Sequence, residues 1–490
     1  MRYTLKYYLI LTLILGSGFS FAQELLEPSD YPSKEFHQNR RLALRKILPP
    51  NSVAVFFANA VRNRSNDVDH VYHQDPNFYY LTGYREPNAV LFVFKEEQTK
   101  ADGTTYSEII FVQPRDKYYE MWTGRRLGPE GAKKKLGLVE VFNNYQFQDY
   151  RLDFSTFDSI LFMDFENDVR DDQRNQGDLF DLIAQFKKKV NYPVDNGSQI
   201  TQEPITSNLD TYSLRKIMGR LRGVKTVEEI SLLRKAIFIS AIGQIEVMKA
   251  MRPGISEPEV QGIHEFVYKK YGAEYEGYPS IVGAGHNGCI LHYTDNKKPH
   301  IESGEMVLMD LGAEYRGYTA DITRTIPVSG KFNDEQKAIY EVVLKAETDA
   351  IKACHAGGSW NKISGIARKA INQGLFNLGI IDSVNQKHNY FPHGLSHHIG
   401  LDVHDTGPYD IMRKGMVFTI EPGIYIPEGS NCDKKWWGIA IRIEDDILIN
   451  ENGKPEILSA IAPRTVEEIE KMMSEPSALS DFNLPEFDDK

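Results

Sequence analysis

Cysteine is scarce in this chain, with three residues among 490, and none of them belongs to a Cys-x-x-Cys pair. A protein with so few cysteines does not depend on a disulfide framework and offers no thiolate zinc site. An excess of basic residues is also lacking, because 57 Lys and Arg face 68 Asp and Glu, for a net charge of −11. This balance argues against a nucleic-acid partner.

The amino terminus lacks an apolar run long enough for a membrane span. Arg2 and Lys6 make it positive, an apolar stretch covers residues 7–15, and Ser20-Phe21-Ala22 forms a small-x-small cleavage site. The stretch is shorter than the roughly 20 apolar residues that cross a bilayer. The pattern therefore predicts a cleaved signal peptide over residues 1–22. We expect an exported protein, periplasmic or secreted, that begins near Gln23 and has no stable membrane anchor.

Two domains are predicted after this segment. Residues 30–205 alternate short apolar runs with helical stretches, which indicates an α/β domain. A capping box, Thr226 followed by Glu229, opens a long amphipathic helix, and the second domain is placed at residues 215–472. Within it, residues 253–256 and 356–359 each separate two helices, which suggests duplicated halves that face a shared cleft. Residues 473–490 form an acidic tail. The fold class is therefore α/β (α+β).

A glycine-rich segment can be set aside. Residues 283–288 fit the G-x-G-x-x-G dinucleotide pattern, but the residues that follow, Cys289-Ile290-Leu291, are strand-like. The nucleotide fingerprint must instead open a helix whose amino terminus meets the pyrophosphate. We interpret the segment as a glycine loop that leads into a strand.

Acidic residues close several apolar runs of the second domain. Asp310 ends one such run, and Asp321 follows eleven residues later, beyond a turn at Arg316-Gly317 that would form a hairpin. Taken alone, Asp310 could simply end a strand and Asp321 could cap the next segment. Glu421 and Glu444 each close a further apolar run.

Histidine is concentrated in the same domain, and four of the chain's 13 histidines, His393, His397, His398 and His404, fall within twelve positions. Such density favours functional side chains over packing. Two Asp, two Glu and one His form an oxygen-rich set that suits Mn²⁺ or Co²⁺, and four carboxylates can balance two dications.

These segments resemble the catalytic domain of the Xaa-Pro aminopeptidases (aminopeptidase P), within the pita-bread family that includes prolidase, methionine aminopeptidase and creatinase. Residues 79–87 and 121–128 are similar to the amino-terminal domain of bacterial aminopeptidase P, so the resemblance covers residues 35–470. It implies a pita-bread catalytic domain with pseudo-twofold halves. The implied activity is metal-dependent removal of an N-terminal residue that precedes proline. Alternatives are a prolidase, which cleaves only Xaa-Pro dipeptides, and a metal-free binding module or creatinase-like enzyme on the same fold.

The resemblance also implies roles for individual residues. Two divalent ions, expected to be Mn²⁺, would be held by Asp310, by Asp321 and Glu444 as bridges, and by His397 with Glu421. Glu421 would shuttle a proton, and the residues expected to act on or bind the substrate are His292, His393, His404, Arg442 and Tyr425. Asp67 is a weaker candidate. The implied partners are peptides with proline at the second position and further copies of the chain in a dimer or tetramer. Two residues depart from the family pattern beside the site, Ala440 in place of glycine and His398 in place of a bulky apolar residue, which puts substrate selectivity in question.

Overall fold

The computed structural model describes residues 30–165, 169–193 and 208–479. The predicted signal peptide and the last part of the predicted acidic tail lie outside the described residues. None of the described helices is long and apolar enough to cross a membrane.

The amino-terminal domain is built on one mixed sheet. The strands of the domain are β1 Ser52–Phe57, β2 Asn63–Ser65, β3 Val68–Asp69, β4 Val90–Thr99, β5 Thr105–Val112, β6 Val141–Asn143, β7 Ser159–Leu161 and β8 Leu209–Asp210. Six of them form the sheet, in the order β6-β5-β4-β1-β7-β8, and the central strand β1 pairs antiparallel with β4 and parallel with β7. A separate small hairpin is formed by β2 and β3. The helices are α1 Lys34–Ile47, α2 Pro76–Thr82, α3 Lys117–Thr123, α4 Gly128–Leu136, α5 Leu179–Lys189 and, leading into the next domain, α6 Ser213–Arg222.

The second domain contains two successive units of paired helices followed by antiparallel strands. In the first unit, α7 Val227–Ala250 and α8 Glu257–Lys270 precede β9 Tyr275–Glu276, β10 Ile281–Ala284, β11 Met306–Leu311, β12 Ala313–Tyr315, β13 Tyr318–Thr319 and β14 Ile322–Pro327. In the second, α9 Asp334–Ala353 and α10 Trp360–Asn377 precede β15 Val417–Ile420, β16 Gly423–Ile426, β17 Ile439–Arg442, β18 Asp445–Ile449 and β19 Pro455–Ile457. Helix α11 Val466–Met473 follows. This repeated order agrees with the predicted duplication.

The predicted start of α7 is confirmed in atomic detail. The Thr226 hydroxyl accepts a hydrogen bond from the backbone N–H of Glu229, and the Glu229 carboxylate accepts one from the backbone N–H of Thr226. This reciprocal pairing satisfies two of the free N–H groups at the amino terminus of the helix. The helix is therefore fixed where the polypeptide enters the second domain.

A long hairpin brings the two aspartates together. Strands β11 and β14 pair antiparallel, with Asp310 opposite Thr323, and β12 and β13 continue the hairpin to its tip. The tip is a two-residue turn in which Arg316 and Gly317 both have positive φ, the backbone that such turns require. At Gly312 an added Cβ would lie 1.8 Å from the carbonyl oxygen of Ala320, so only glycine fits between the two arms.

The glycine-rich segment differs from the prediction in one respect. Gly285–Cys289 form a single 3₁₀ turn after β10, and residues 290–294 form no strand. The backbones of Gly283 and Gly288 approach so closely that a Cβ on Gly283 would lie 2.8 Å from the Gly288 Cα. The chain therefore folds back on β10 at this point.

The two domains share a hydrophobic core. Buried residues of α1 and α2, among them Phe36 and Tyr80, belong to the same apolar cluster as Leu214 of α6 and Leu233 of α7. Burial of such a continuous cluster removes apolar surface of both domains from water, which is the main favourable term in folding. The two domains thus pack as one body around α6 and α7.

Candidate active site

The four carboxylates and the histidine predicted as ligands line one cavity of about 590 Å³. Asp310 lies on β11, and Asp321 directly precedes β14. Glu421 follows β15, and Glu444 lies between β17 and β18. Because β11 pairs with β14 and β15 pairs with β18, the carboxylates of each half are adjacent.

His397 lies against two of these carboxylates. Its Nε2 is 3.3 Å from Asp321 Oδ2 and 3.6 Å from Glu421 Oε1. Its Nδ1 is 3.2 Å from the carbonyl oxygen of His398, to which it can donate a hydrogen bond. With Nδ1 bonded in this way, Nε2 faces the carboxylates, to which it donates when it is protonated and beside which it would bind a metal ion when it is neutral.

Three side chains are close enough to bind one ion together. Ligand atoms of Asp321, His397 and Glu444 all lie within 4.8 Å of one another. Asp310 and Glu421 complete the acidic lining of the same cavity. Carboxylate oxygens with one imidazole nitrogen form a donor set that suits divalent cations.

Burial makes the ionised form of these carboxylates energetically unfavourable unless cations are nearby. It raises the pKa of Glu444 well above its usual range, raises that of Asp310, and raises that of Glu421 to about 7. At Asp321 burial acts in the same direction, but the hydrogen bond with His397, its positive charge, the Tyr278 hydrogen bond and the Arg442 charge together outweigh it and lower the pKa. Arg442 supplies a single positive charge, through an ion pair of 2.5 Å with Asp310. Buried carboxylates in this number need further positive charge, and divalent ions held by the same oxygens would provide it.

His393 is connected to Asp310 through two intervening side chains. Arg442 Nη1 donates to the Tyr425 hydroxyl at 2.8 Å, which leaves the Tyr425 proton for His393 Nε2, also at 2.8 Å. Arg442 Nη2 reaches Asp310 at 2.5 Å. His393 Nδ1 lies 2.8 Å from the Gly394 carbonyl oxygen and 3.5 Å from Glu421 Oε2. Burial lowers the pKa of His393 to about 4, so the ring is neutral near pH 7.

Comparison with known proteins identifies the family. Residues 231–451 match the model of metallopeptidase family M24, and residues 36–156 match that of the aminopeptidase P N-terminal domain. The Xaa-Pro aminopeptidase of Escherichia coli (strain K12) is 36% identical over 454 residues, which cover 90% of this chain and 98% of that protein. The chain belongs to metallopeptidase family M24, in its aminopeptidase P branch.

Other relatives and solved structures agree with this membership. Xaa-Pro aminopeptidase 3 of Homo sapiens is 31% identical, over 87% of this chain and 82% of that protein. Aminopeptidase P from E. coli with the inhibitor Pro-Leu superposes with a TM-score of 0.78 at 34% identity, covering 90% of this chain and 98% of that one. For Pseudomonas aeruginosa aminopeptidase PepP the TM-score is 0.79 at 33% identity, with 91% and 99% covered. The predicted family and fold class are confirmed.

The remaining predicted residues of this M24 site occupy different places. His292, His393, His404 and Arg442 line the cavity, and the His404 ring packs edge-on against the His397 ring with centroids 4.5 Å apart. Tyr425 is buried behind the wall, where it contacts His393 and Arg442. Its position therefore indicates a supporting role rather than the predicted direct contact with substrate.

Three further residues named from the sequence do not line the cavity. Asp67 is exposed in the turn between β2 and β3. His398 is fully buried, with Nε2 3.1 Å from the Pro408 carbonyl oxygen and its ring against Trp360. Ala440 belongs to a small apolar cluster with Tyr425 and Tyr293. The two departures from the family pattern thus do not line the cavity that a substrate would occupy.

Tyr278 is the main residue that sequence reasoning missed. Its hydroxyl lies 2.7 Å from Asp310 Oδ1 and 2.7 Å from Asp321 Oδ1, so it joins the two aspartates of the hairpin. Thr323 acts similarly on Glu444, since its hydroxyl donates to Glu444 Oε2 at 2.6 Å. No local pattern marks Tyr278, and its closeness to Asp310 follows only from the pairing of β10 with β11.

Proposed function

We propose that this chain removes the first residue from peptides whose second residue is proline, with two divalent ions, Mn²⁺ as the native pair, held by the five cavity ligands. The observation that supports it is the meeting of four carboxylates, three of them buried, and His397 in one cavity, in a chain of the aminopeptidase P branch. Asp321 and Glu444 are the proposed bridges, Asp310 completes one ion site, and His397 with Glu421 completes the other.

Two divalent ions at this position would lower the pKa of a water nucleophile and polarise the scissile carbonyl. Glu421 faces the cavity between His397 and His393, which suits it to accept the proton of the water and return it to the leaving nitrogen of proline. His292 and His404 also line the cavity and can donate hydrogen bonds to the oxygen on which charge develops.

Selectivity for proline is proposed to come from the apolar part of the lining. Pro279, Ile281, Leu291 and Val403 contribute apolar surface to the cavity. A proline ring can pack there, and its tertiary amide has no N–H that would need a buried acceptor. An alanine side chain at this position would make fewer apolar contacts with the same surface.

The aminopeptidase is favoured over a prolidase because the relatives described above are Xaa-Pro aminopeptidases, matched over most of both chains. A metal-free binding module is disfavoured because all five candidate ligands are present and line one cavity. Export is proposed from the pattern of residues 1–22, with a periplasmic or secreted location. Assembly into a dimer or tetramer is proposed from the family resemblance.

The test uses the chain from Gln23 onward, stripped of metal and reloaded with Mn²⁺, Co²⁺, Zn²⁺ or nothing. Its substrates are an Xaa-Pro-Yaa tripeptide, the Xaa-Ala-Yaa analogue and an Xaa-Pro dipeptide. We expect cleavage of the proline tripeptide alone, highest with Mn²⁺, and two ions per chain by elemental analysis. Cleavage of the dipeptide alone would indicate a prolidase, and a metal-loaded protein that cleaves none of the three would contradict both.

A further inference from the structure

Glu257 is a carboxylate buried outside the catalytic cavity. It is the first residue of α8, its side chain is fully buried, and the cavity lining does not include it. Its position in the fold is beside the loop that connects β10 to β11, the loop on which His292 lies.

Four hydrogen bonds from this loop converge on the Glu257 carboxylate. Oε1 accepts from the backbone N–H of Ala284 and from Asn287 Nδ2, both at 2.9 Å. Oε2 accepts from the Tyr293 hydroxyl at 3.0 Å and from the backbone N–H of Lys298 at 2.9 Å. The donors lie on both sides of His292 in the sequence, so the carboxylate ties together the two ends of the segment that carries this histidine.

All four donors are neutral, and the nearby ammonium of Lys298 is bonded to Glu305 at 2.6 Å. A carboxylate removed from water is costly even when it is fully hydrogen-bonded, and apolar packing of similar size often stabilises a fold as well or better. Four convergent hydrogen bonds, in contrast, define the position of a loop more narrowly than apolar contacts do. The arrangement therefore indicates that Glu257 positions the loop more than it stabilises the fold.

The segment that Glu257 holds leads directly to the catalytic cavity. Tyr293, which donates to Glu257, also packs with Tyr425, Ile281 and Leu308 in the apolar cluster behind the cavity wall. The preceding residue, His292, lines the same cavity as His393 and His404. A shift of the loop would thus move the His292 imidazole relative to the other two histidines.

We propose that Glu257 is a positioning residue, which holds the loop between Ala284 and Lys298 so that His292 keeps its place in the catalytic cavity. The inference rests on the proposed function in so far as His292 contacts the substrate. Glu257 makes no hydrogen bond to a candidate metal ligand, and it acts on the reaction only through His292.

The kinetic test is a double-mutant cycle with the Mn²⁺-loaded chain. Glu257→Gln keeps the shape of the side chain but turns an N–H₂ group toward two of the donors. We expect it to lower kcat/KM for the proline tripeptide by about 10–100-fold, the effect of a small displacement of a catalytic group. In the His292→Ala background the same substitution should change kcat/KM by less than about threefold, because coupled residues are not additive. An equal loss in both backgrounds would overturn the proposal.

A matched control lies two residues away on the same helix. Glu259 is largely exposed and pairs with Arg252 at 2.8 Å, so Glu259→Gln removes one carboxylate from α8 without affecting the loop. It should leave kcat/KM unchanged in both backgrounds. If Glu257→Gln does not fold, Tyr293→Phe removes one of the four donors to Glu257, together with the acceptor of a 3.0 Å hydrogen bond from Asn287 Nδ2. It should show a smaller loss of about two- to fivefold, equivalent to part of one hydrogen bond, and that loss should also disappear in the His292→Ala background.

A spectroscopic readout separates this inference from the proposed function. In histidine-labelled protein, the imidazole resonance that is absent from the His292→Ala spectrum belongs to His292. We expect Glu257→Gln or Tyr293→Phe to shift this resonance and Glu259→Gln to leave it in place, whether or not the protein cleaves the tripeptide. An unshifted His292 resonance in both loop variants would overturn the proposal, and absence of tripeptide cleavage by the wild-type chain would overturn the proposed function alone.

Discussion

Tyr278→Phe is the substitution that most directly tests the proposed metal site, because it removes one oxygen atom and changes no charge. The lost hydroxyl lies 2.7 Å from one oxygen of Asp310 and 2.7 Å from one oxygen of Asp321. Without it, both carboxylates can rotate away from the orientation in which their other oxygens face the cavity. We therefore expect weaker metal binding while the fold is retained.

The size of the effect follows from the bond that is lost. A phenol has one proton, so Tyr278 donates one full hydrogen bond to a carboxylate, and such a bond to a charged group contributes about 1.5–3 kcal/mol. Since about 1.4 kcal/mol corresponds to a tenfold change in Kd, Mn²⁺ should bind about 10–100-fold more weakly. This is also the usual range for loss of a residue that orients a metal ligand.

Calorimetric titration of the metal-free protein with Mn²⁺ measures this change without reference to activity. Tyr318→Phe is the matched control, because Tyr318 is a buried tyrosine of the same hairpin whose hydroxyl has no hydrogen-bond partner within the part of the chain that the structure describes. It should bind Mn²⁺ as the wild type does. Equal affinity in the wild type and in Tyr278→Phe would refute the view that this hydroxyl orients the two aspartates.

Three further predictions concern other parts of the molecule. Tyr425→Phe breaks the connection between Arg442 and His393, and it should lower kcat/KM roughly tenfold, the equivalent of one hydrogen bond, while elemental analysis finds the metal content unchanged. The hydrogen bond with Glu314 raises the pKa of the half-exposed His73 above its ordinary value of 6.5. This pair therefore stabilises the protein fully below pH 6.5 and ceases to do so as the pH rises through the raised value. The difference in thermal midpoint between wild type and His73→Gln should accordingly shrink from pH 5.5 to pH 9, and a constant difference would contradict it. Phe186→Ala removes a fully buried ring that contacts Phe92, Phe154 and Phe162, and it should destabilise the amino-terminal domain by about 3–5 kcal/mol in urea unfolding.

Four of the five candidate ligands were predictable because each of the four interrupts a local pattern. Asp310, Glu421 and Glu444 end apolar runs, where a buried strand would normally carry another apolar residue. His397 lies in a segment too rich in histidine for ordinary packing. The turn at Arg316-Gly317 was predictable for a similar reason, since glycine marks the positive φ of a tight hairpin turn.

The supporting residues were not predictable, because their roles depend on tertiary register. Tyr278 precedes β10, and only the pairing of Ile281 with Asp310 brings that part of the chain to the aspartates. Glu257 reads in sequence as an ordinary acidic residue in the first turn of a helix. The loop that encloses its carboxylate comes from residues 284–298, and no periodicity in the sequence connects the two. The same limit explains why residues 290–294 looked strand-like, since Leu291 and Tyr293 pack with Ile281 of β10 and Leu308 of β11 without forming a strand.

Within residues 30–165 and 169–193, the amino-terminal domain contributes no residue to the lining of the catalytic cavity, yet it contacts the hairpin that carries two candidate ligands. The Tyr79 hydroxyl of α2 donates to the carbonyl oxygen of Arg316, at 3.2 Å, and a Cβ on Gly317 would lie 3.1 Å from the Tyr79 ring. His73 Nε2 lies 3.0 Å from a carboxylate oxygen of Glu314, which is on strand β12 of the same hairpin. The tip of the hairpin is therefore held from outside while Tyr278 holds its base. Because Asp310 and Asp321 lie on opposite arms of this hairpin, a rigid tip limits how far the two carboxylates can separate. The amino-terminal domain therefore helps to fix the geometry of the proposed metal site, although its described residues supply no ligand.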